Sequence, residues 1–128
     1  MTVLPKTDSK MKSTKNDLHV VGLLQKIIAT GNPCLDLSHE RLGDAGLIFL
    51  TRIKDLSHLT QLNLSWNKLT NKGVKALAQC SSLTKLTTLI LDSNEIGDEG
   101  GHAIAESKTL SSLQILTFTK NHISDSGA

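Results

Sequence analysis

The sequence predicts an α/β solenoid, a short horseshoe with a parallel sheet on its concave face and helices on its convex face. Three observations carry this prediction. Leucine and isoleucine positions recur at a fixed step of 27 residues. An asparagine and a glycine recur at the same step, and a run of small and apolar residues typical of a helix follows each glycine. Because a fixed period of this length indicates stacked units, we expect about four of them.

Each unit contains the pattern LxxLxLxxNx(L/I)xxxG. Its apolar members are Leu35, Leu37 and Leu42 in the first unit; Leu59, Leu62, Leu64 and Leu69 in the second; Leu86, Leu89, Leu91 and Ile96 in the third; and Leu113, Leu116, Phe118 and Ile123 in the fourth. In the first unit Glu40 stands in the place of the asparagine and Asn32 in the place of the first leucine. Several positions repeat together in register, which makes the pattern specific.

This pattern resembles the leucine-rich repeat family over about residues 32–128. The period and the helix after each turn resemble its ribonuclease-inhibitor-like subclass. The resemblance implies a protein–protein interaction module that binds a partner protein through the concave sheet face and inhibits a partner enzyme by occluding its active site. Small proteins of this type also occur among the effectors that bacteria such as Legionella deliver into host cells, and the lysine-rich start of the chain is compatible with that origin.

The chain before the repeats divides into two parts. Residues 1–16 are polar, lysine-rich and without apolar periodicity, which predicts a flexible tail. Residues 17–31 contain an apolar stripe at helical spacing, which predicts a capping helix over one end of the core. Asp17 begins a column of residues that continues with Asp44, Asn71, Asp98 and Asp125. We expect each member of this column to cap the helix of its own repeat.

Strands are predicted at Cys34–Ser38, Leu62–Leu64, Leu89–Leu91 and Leu116–Phe118. Pro33 cannot donate to a strand ladder and therefore favours the edge of the sheet. The column of Asn67, Asn94 and Asn121 predicts inward amides that satisfy backbone groups where each strand ends. Gly46, Gly73, Gly100 and Gly127 indicate loop and packing requirements.

The fourth repeat stops at Ala128, before its helix. Phe118 and Ile123 therefore lack the cover that the end of a solenoid requires. Two readings follow: a fragment or assembly unit of a longer array, or an end that a partner or a second copy covers by self-association.

The composition of the chain disfavours several classes of partner. Among 128 residues there are one tryptophan, two phenylalanines and no tyrosine, and the net charge is +2, so nucleic acid is a poor candidate partner. No apolar run approaches the length of a membrane span and no secretory signal is visible.

Cys34 and Cys80 fall in different layers, which disfavours a disulfide and favours a reducing compartment, the cytoplasm or a host cytoplasm. No cysteine or histidine cluster has metal-ligand spacing, so we predict neither a metal nor a cofactor.

Catalysis has little support in the sequence. The five histidines occupy different places in the repeat, without a nucleophile in triad order. Asp36, Glu40 and Asp44 are close in sequence, but the repeat assigns them to the concave face, the asparagine column and a helix start. We therefore predict no enzyme. A regulator of the GTPase-activating type, which the family also contains, stays as an alternative.

The predicted partner-binding residues lie on the concave face and its far rim. They are Asp36, Ser38, His39, Gln61, Asn63, Ser65, Trp66, Lys68, Ile90, Asp92, Ser93, Glu95, Thr117, Thr119 and Lys120. Their charges are mixed, so we expect shape and hydrogen bonds to dominate binding. Trp66 is the only tryptophan. It is either an interface anchor, as tryptophan often is, or local packing over the strand-exit loop.

Overall fold

A computed structural model describes residue 22, residues 30–52 and residues 56–122. Within these residues the chain alternates strands and helices: β1 (Cys34–Asp36), α1 (Gly43–Thr51), β2 (Gln61–Asn63), α2 (Asn71–Ala78), β3 (Thr88–Ile90), α3 (Asp98–Ala105) and β4 (Ile115–Thr117). The predicted tail, the capping helix apart from the helical residue Gly22, and the positions of Ile123, Asp125 and Gly127 lie outside the described residues.

The four strands form one parallel sheet in the order β1-β2-β3-β4. The register follows the sequence period, because Leu35 pairs with Leu62, Leu62 with Leu89 and Leu89 with Leu116. This arrangement confirms the predicted α/β repeat solenoid. The strand bounds differ slightly from the prediction: β1 ends at Asp36 rather than Ser38, and β2, β3 and β4 each begin and end one residue earlier. The leucine after each of the first three strands still donates across the ladder, as Leu64 N donates to Ile90 O at 2.8 Å.

The core lies between the sheet and the helices. Alternate strand residues point inward, so that Leu35, Leu62 and Leu89 are at most 3% exposed. The following leucines, such as Leu64 and Leu91, are fully buried. Burying one leucine side chain contributes roughly 1.5–3 kcal/mol, so these layers supply most of the driving force for stacking. In the fourth repeat the equivalent side chains are only partly buried.

The asparagine column is structural, as predicted. Asn67 Oδ1 accepts from the backbone N–H groups of Glu40 and Leu42, both at 3.1 Å. Its Nδ2 donates to Leu37 O at 2.8 Å and to Leu64 O at 3.0 Å. Each asparagine therefore joins its own repeat to the preceding one. Asn94 and Asn121 repeat the arrangement one and two steps further along.

The Asp/Asn column caps helices, but the prediction of which helix was wrong. Asp44 Oδ1 accepts from Thr70 N at 2.9 Å and from Gly73 N at 3.2 Å, both in the next repeat. Asn71 Oδ1 likewise accepts from Gly97 N at 2.7 Å and Gly100 N at 3.0 Å. The reason is that both residues already lie inside the first turn of their own helices. Their side chains project sideways and satisfy the free amides of the neighbouring helix.

Gly46, Gly73 and Gly100 lie in helices rather than in loops, which corrects the loop part of the prediction and leaves its packing part. Gly73 and Gly100 belong to the first turns of α2 and α3 and are buried. A Cβ at Gly73 would lie 2.4 Å from Asp44 Oδ1. The packing requirement is therefore specific: these positions leave room for the capping side chain of the preceding repeat.

Candidate functional site

The outward residues of the four strands form the central part of the concave face. The first row across the sheet is Cys34, Gln61, Thr88 and Ile115, and the second row is Asp36, Asn63, Ile90 and Thr117. Ile115 is 54% exposed, and Cys34, Gln61 and Asp36 are exposed as well. Thr88, Asn63, Ile90 and Thr117 are half-buried. The hydroxyl of Thr117 is buried and has no hydrogen-bond partner.

The third row lies two residues beyond the second and consists of Ser38, Ser65, Asp92 and Thr119. Hydrogen bonds hold several of its members in place. Asp36 Oδ1 accepts from Ser38 N at 3.0 Å and from Ser38 Oγ at 2.7 Å. The serine hydroxyl, followed by its N–H, holds the pKa of the Asp36 carboxyl below its ordinary value. Asp92 Oδ1 accepts from Thr119 N at 2.9 Å in the next repeat. Ser65 is 8% exposed, so this member of the predicted set offers little surface to a partner.

The last two rows lie where the strands end, and we call them the exit edge. They comprise His39, Trp66, Ser93 and Lys120, followed by Arg41, Lys68, Glu95 and His122. All of these except Ser93 are exposed. Six of the eight have a positive φ between 55° and 61°, although none is glycine. The backbone at this edge is therefore held in a left-handed conformation that side-chain-bearing residues adopt only where their surroundings impose it.

Trp66 stacks on His39 of the preceding repeat. The ring centroids are 5.4 Å apart and the planes are inclined by 15°. The indole is nevertheless 53% exposed, so one face packs locally while the other stays open. Both readings of Trp66 thus have a structural basis. The stack itself was not predicted, although the spacing of the two residues by one repeat could have indicated it.

Comparison with protein families finds the Leucine Rich repeat three times, at residues 55–78, 82–105 and 109–128. These matches cover more than half of the chain. The chain belongs to the leucine-rich repeat family. The first repeat lies outside the matches, but β1 pairs in register with β2 and completes the same sheet. No curated protein matches the chain.

Leucine-rich repeats generally mediate protein–protein interaction, and the family is typically non-catalytic. Among the described residues, no three histidine, cysteine or acidic side chains lie together as metal ligands would. A hollow of about 560 Å³ lies on the helical side near Gln79 and Glu106, and none of the predicted site residues lines it. In the part of the chain that the structure describes, no helix is long and apolar enough to cross a membrane.

The charged residues of this leucine-rich repeat surface differ in how far they are engaged by hydrogen bonds. The acidic residues Asp36 and Asp92 lie towards the sheet and are engaged by hydrogen bonds. The cations Arg41, Lys68 and Lys120 are at the exit edge, together with the exposed carboxylate of Glu95. The ion pair found within residues 30–52 and 56–122 is Lys75–Glu99 at 2.5 Å, on the helical side. The exit-edge cations therefore face solvent without a carboxylate partner among the described residues.

Proposed function

We propose that this chain is an interaction module that binds a partner protein through its concave face. One observation carries the proposal. Trp66 and Ile115 are the exposed large hydrophobic residues of the described chain, and both lie on this face. Tryptophan is prominent among interface hot spots, so the exposed indole of Trp66 is a candidate contact for a partner.

The rigidity of the face supports the same function. The strand ends are tied across repeats by the asparagine side chains and by bonds such as Trp66 N to Asp92 O at 3.2 Å. Asp36 and Asp92 are held in place by their own hydrogen bonds. A partner therefore meets a backbone and two carboxylates that are already ordered, and ordering them on binding costs little conformational entropy. We assign no catalytic step to this surface.

The finer form of the proposal rests on the resemblance to the ribonuclease-inhibitor-like subclass. In that form, the concave face covers the active site of a partner enzyme and so inhibits it. A reducing compartment such as the cytoplasm is compatible with Cys34 and Cys80, which are both free thiols. An origin among bacterial effectors of the Legionella type stays a prediction from the resemblance.

Affinity capture from lysate tests the proposal with two matched double variants. Trp66→Ala with Gln61→Lys removes an aromatic ring and adds a charge at exposed positions on the concave face, and His102→Ala with Gln79→Lys makes the same changes at exposed positions on the helical side. We expect the concave pair to lose a protein that the wild type and the helical pair both retain. Equal capture by all three proteins contradicts the assignment of binding to the concave face.

A second candidate function is self-association along the outer side of β4. Leu116 and Phe118 are half-buried there, whereas their counterparts Leu89 and Leu91 are 0% exposed. The unpartnered hydroxyl of Thr117 lies in the same strand. If a second copy covers this side, sedimentation velocity shows a mass that rises with concentration, and Phe118→Ser suppresses that rise while Trp66→Ala does not. A concentration-independent monomer removes this candidate.

A further inference from the structure

The exit edge combines cations with an open aromatic face. Arg41, Lys68 and Lys120 are exposed there, and the structure records no ion pair for them within residues 30–52 and 56–122. Trp66 is 53% exposed and is supported from behind by the His39 ring. A guanidinium or ammonium without a carboxylate is available for a partner's anion, and an indole face accepts a flat or apolar side chain.

The backbone fixes the positions of these residues in two adjacent rows, with Trp66 and Lys120 in one row and Arg41 and Lys68 in the next. His39 N donates to Ser65 O at 3.0 Å, and Ser93 N donates to Thr119 O at 2.8 Å. The left-handed φ angles of Arg41, Lys68 and Lys120 are imposed by the same turns. Neighbouring repeats are about 4.8 Å apart across a sheet. Positions of one row in the first and fourth repeats are therefore separated by about 14 Å, which is the length of four to five extended residues.

We propose that the exit edge binds a short acidic segment of a partner protein, extended across the four repeats. This inference rests on the proposed interaction function and names the chemistry of the partner. Carboxylates of the segment pair with Arg41, Lys68 and Lys120, and an apolar or aromatic side chain between them packs on the open face of Trp66. Such a segment needs no carboxylate opposite the third repeat, where Glu95 is exposed.

The pattern of charge favours an acidic peptide over a nucleic acid. A nucleic-acid strand carries a phosphate at every nucleotide, and along this surface it would meet Glu95 as well as the carboxylates of Asp36 and Asp92. Three carboxylates balance the three permanent cations of the face, so its net charge is close to zero. A peptide can carry acidic residues opposite the cations and none opposite Glu95. The charge pattern of the surface therefore selects an acidic peptide over a nucleic acid.

Trp66 itself reports the binding, because it is the only tryptophan of the chain. The probe is the blocked peptide Glu-Asp-Phe-Ser-Glu, whose serine falls opposite the third repeat, titrated against the purified full chain, with Lys-Lys-Phe-Ser-Lys as the charge-reversed control. We expect a saturable change in indole fluorescence with the acidic peptide alone, and weaker binding at higher salt because exposed ion pairs are screened.

Two double variants separate this edge from the rest of the surface. Lys68→Glu with Lys120→Glu reverses two exit-edge charges, whereas Lys72→Glu with Lys108→Glu reverses two exposed charges on the helical side. Both pairs change the net charge equally. We expect the dissociation constant for the acidic peptide to rise at least tenfold in the first pair and less than twofold in the second. Equal effects of the two pairs overturn the proposal.

Further results would also decide whether the exit edge binds an acidic segment. Absence of binding by both fluorescence and calorimetry, or tighter binding of an oligothymidine than of the acidic peptide, overturns the proposal. The capture experiment distinguishes this failure from that of the interaction function. A partner that is lost with Trp66→Ala/Gln61→Lys but retained by Lys68→Glu/Lys120→Glu leaves the concave-face function in place and removes the acidic segment.

Discussion

Asn71 Oδ1 accepts a hydrogen bond from Gly100 N at 3.0 Å, and the same oxygen lies 2.7 Å from the place where a Cβ of residue 100 would stand. The two residues belong to neighbouring repeats, so one asparagine side chain caps the next helix and also restricts its sequence. This relationship explains why a glycine recurs inside the first helical turn, where its flexibility would otherwise disfavour a helix.

Gly100→Ala should destabilise the fold. The added methyl would approach Asn71 Oδ1 and Ile96 Cγ2 within 2.8 Å, and overpacking of this kind costs roughly 1–3 kcal/mol. That cost exceeds the gain in helix propensity of about 1 kcal/mol. Urea denaturation measures the difference. Gly22→Ala is the matched control, since Gly22 is helical and has no atom within 4 Å of its Cβ position; it should be neutral or stabilising. A Gly100→Ala variant as stable as the wild type contradicts this account.

Asn94→Ala should be among the most destabilising changes in the chain. Asn94 is 6% exposed, and its Oδ1 accepts from Asn67 N and Leu69 N at 3.0 and 3.1 Å. Its Nδ2 donates to three backbone carbonyls. Each buried group left without a partner costs about 1–3 kcal/mol, so the total loss should exceed about 3 kcal/mol.

Asn121→Ala is the internal comparison for Asn94→Ala. Asn121 is half-buried rather than buried, and its Oδ1 accepts from one described N–H, that of Ile96 at 3.0 Å. Its replacement should therefore cost clearly less, as measured by urea denaturation of both variants in the same buffer. Equal losses would show that burial and bond number do not determine the strength of this column.

Lys68→Gly should stabilise the chain, although it removes a side chain. Lys68 has φ +57°, and a left-handed conformation costs a residue with a Cβ roughly 1–2 kcal/mol. Glycine avoids that cost but makes the unfolded chain more flexible, so the net gain should be about 0.5–1 kcal/mol. The reverse experiment is Gly43→Ala at φ +62°, where nothing crowds the new Cβ; it should destabilise. Thermal unfolding of both variants decides the sign.

The sequence period is sufficient for much of this fold because it fixes which residues share a row. Leu62, Leu89 and Leu116 repeat together, and an inward leucine row has one stable place, between sheet and helices. The asparagine column was predictable for a similar reason, since a polar side chain between buried leucines must satisfy backbone groups. The repeat period and the polarity of these side chains together allow one arrangement of the leucine rows and the asparagine column.

The period does not determine how far a side chain reaches along the stack. Asp44 shares a row with Asn71 and Asp98, but whether its carboxylate bonds within its own repeat or with the next depends on the angle at which α1 begins. The same limit applies to His39 and Trp66. Their row was evident from the sequence, whereas the stacking of their rings follows from side-chain rotamers and from the left-handed turn at each residue.

The pKa of Asp36 should rise when its serine partner is removed. The hydroxyl and N–H of Ser38 both donate to Asp36 Oδ1 and keep the pKa of this carboxyl low. Ser38→Ala removes the hydroxyl, the larger cause, and should move the pKa towards the ordinary value of about 3.9. Carbon-detected NMR titration of the Asp36 carboxyl measures the change, with Ser81→Ala at an exposed position as control.

The sign of the accompanying pH dependence follows from the same bond. Because the folded pKa of Asp36 lies below its unfolded value, the contribution of the Asp36–Ser38 hydrogen bonds to stability is present above about pH 4 and is lost as the pH falls through the folded pKa. Asp36 is exposed, so the effect should be small. Urea denaturation between pH 3 and pH 6 should show a slightly flatter profile for Ser38→Ala than for wild type. A steeper profile, or an unchanged Asp36 titration, would mean that Ser38 does not control this carboxyl.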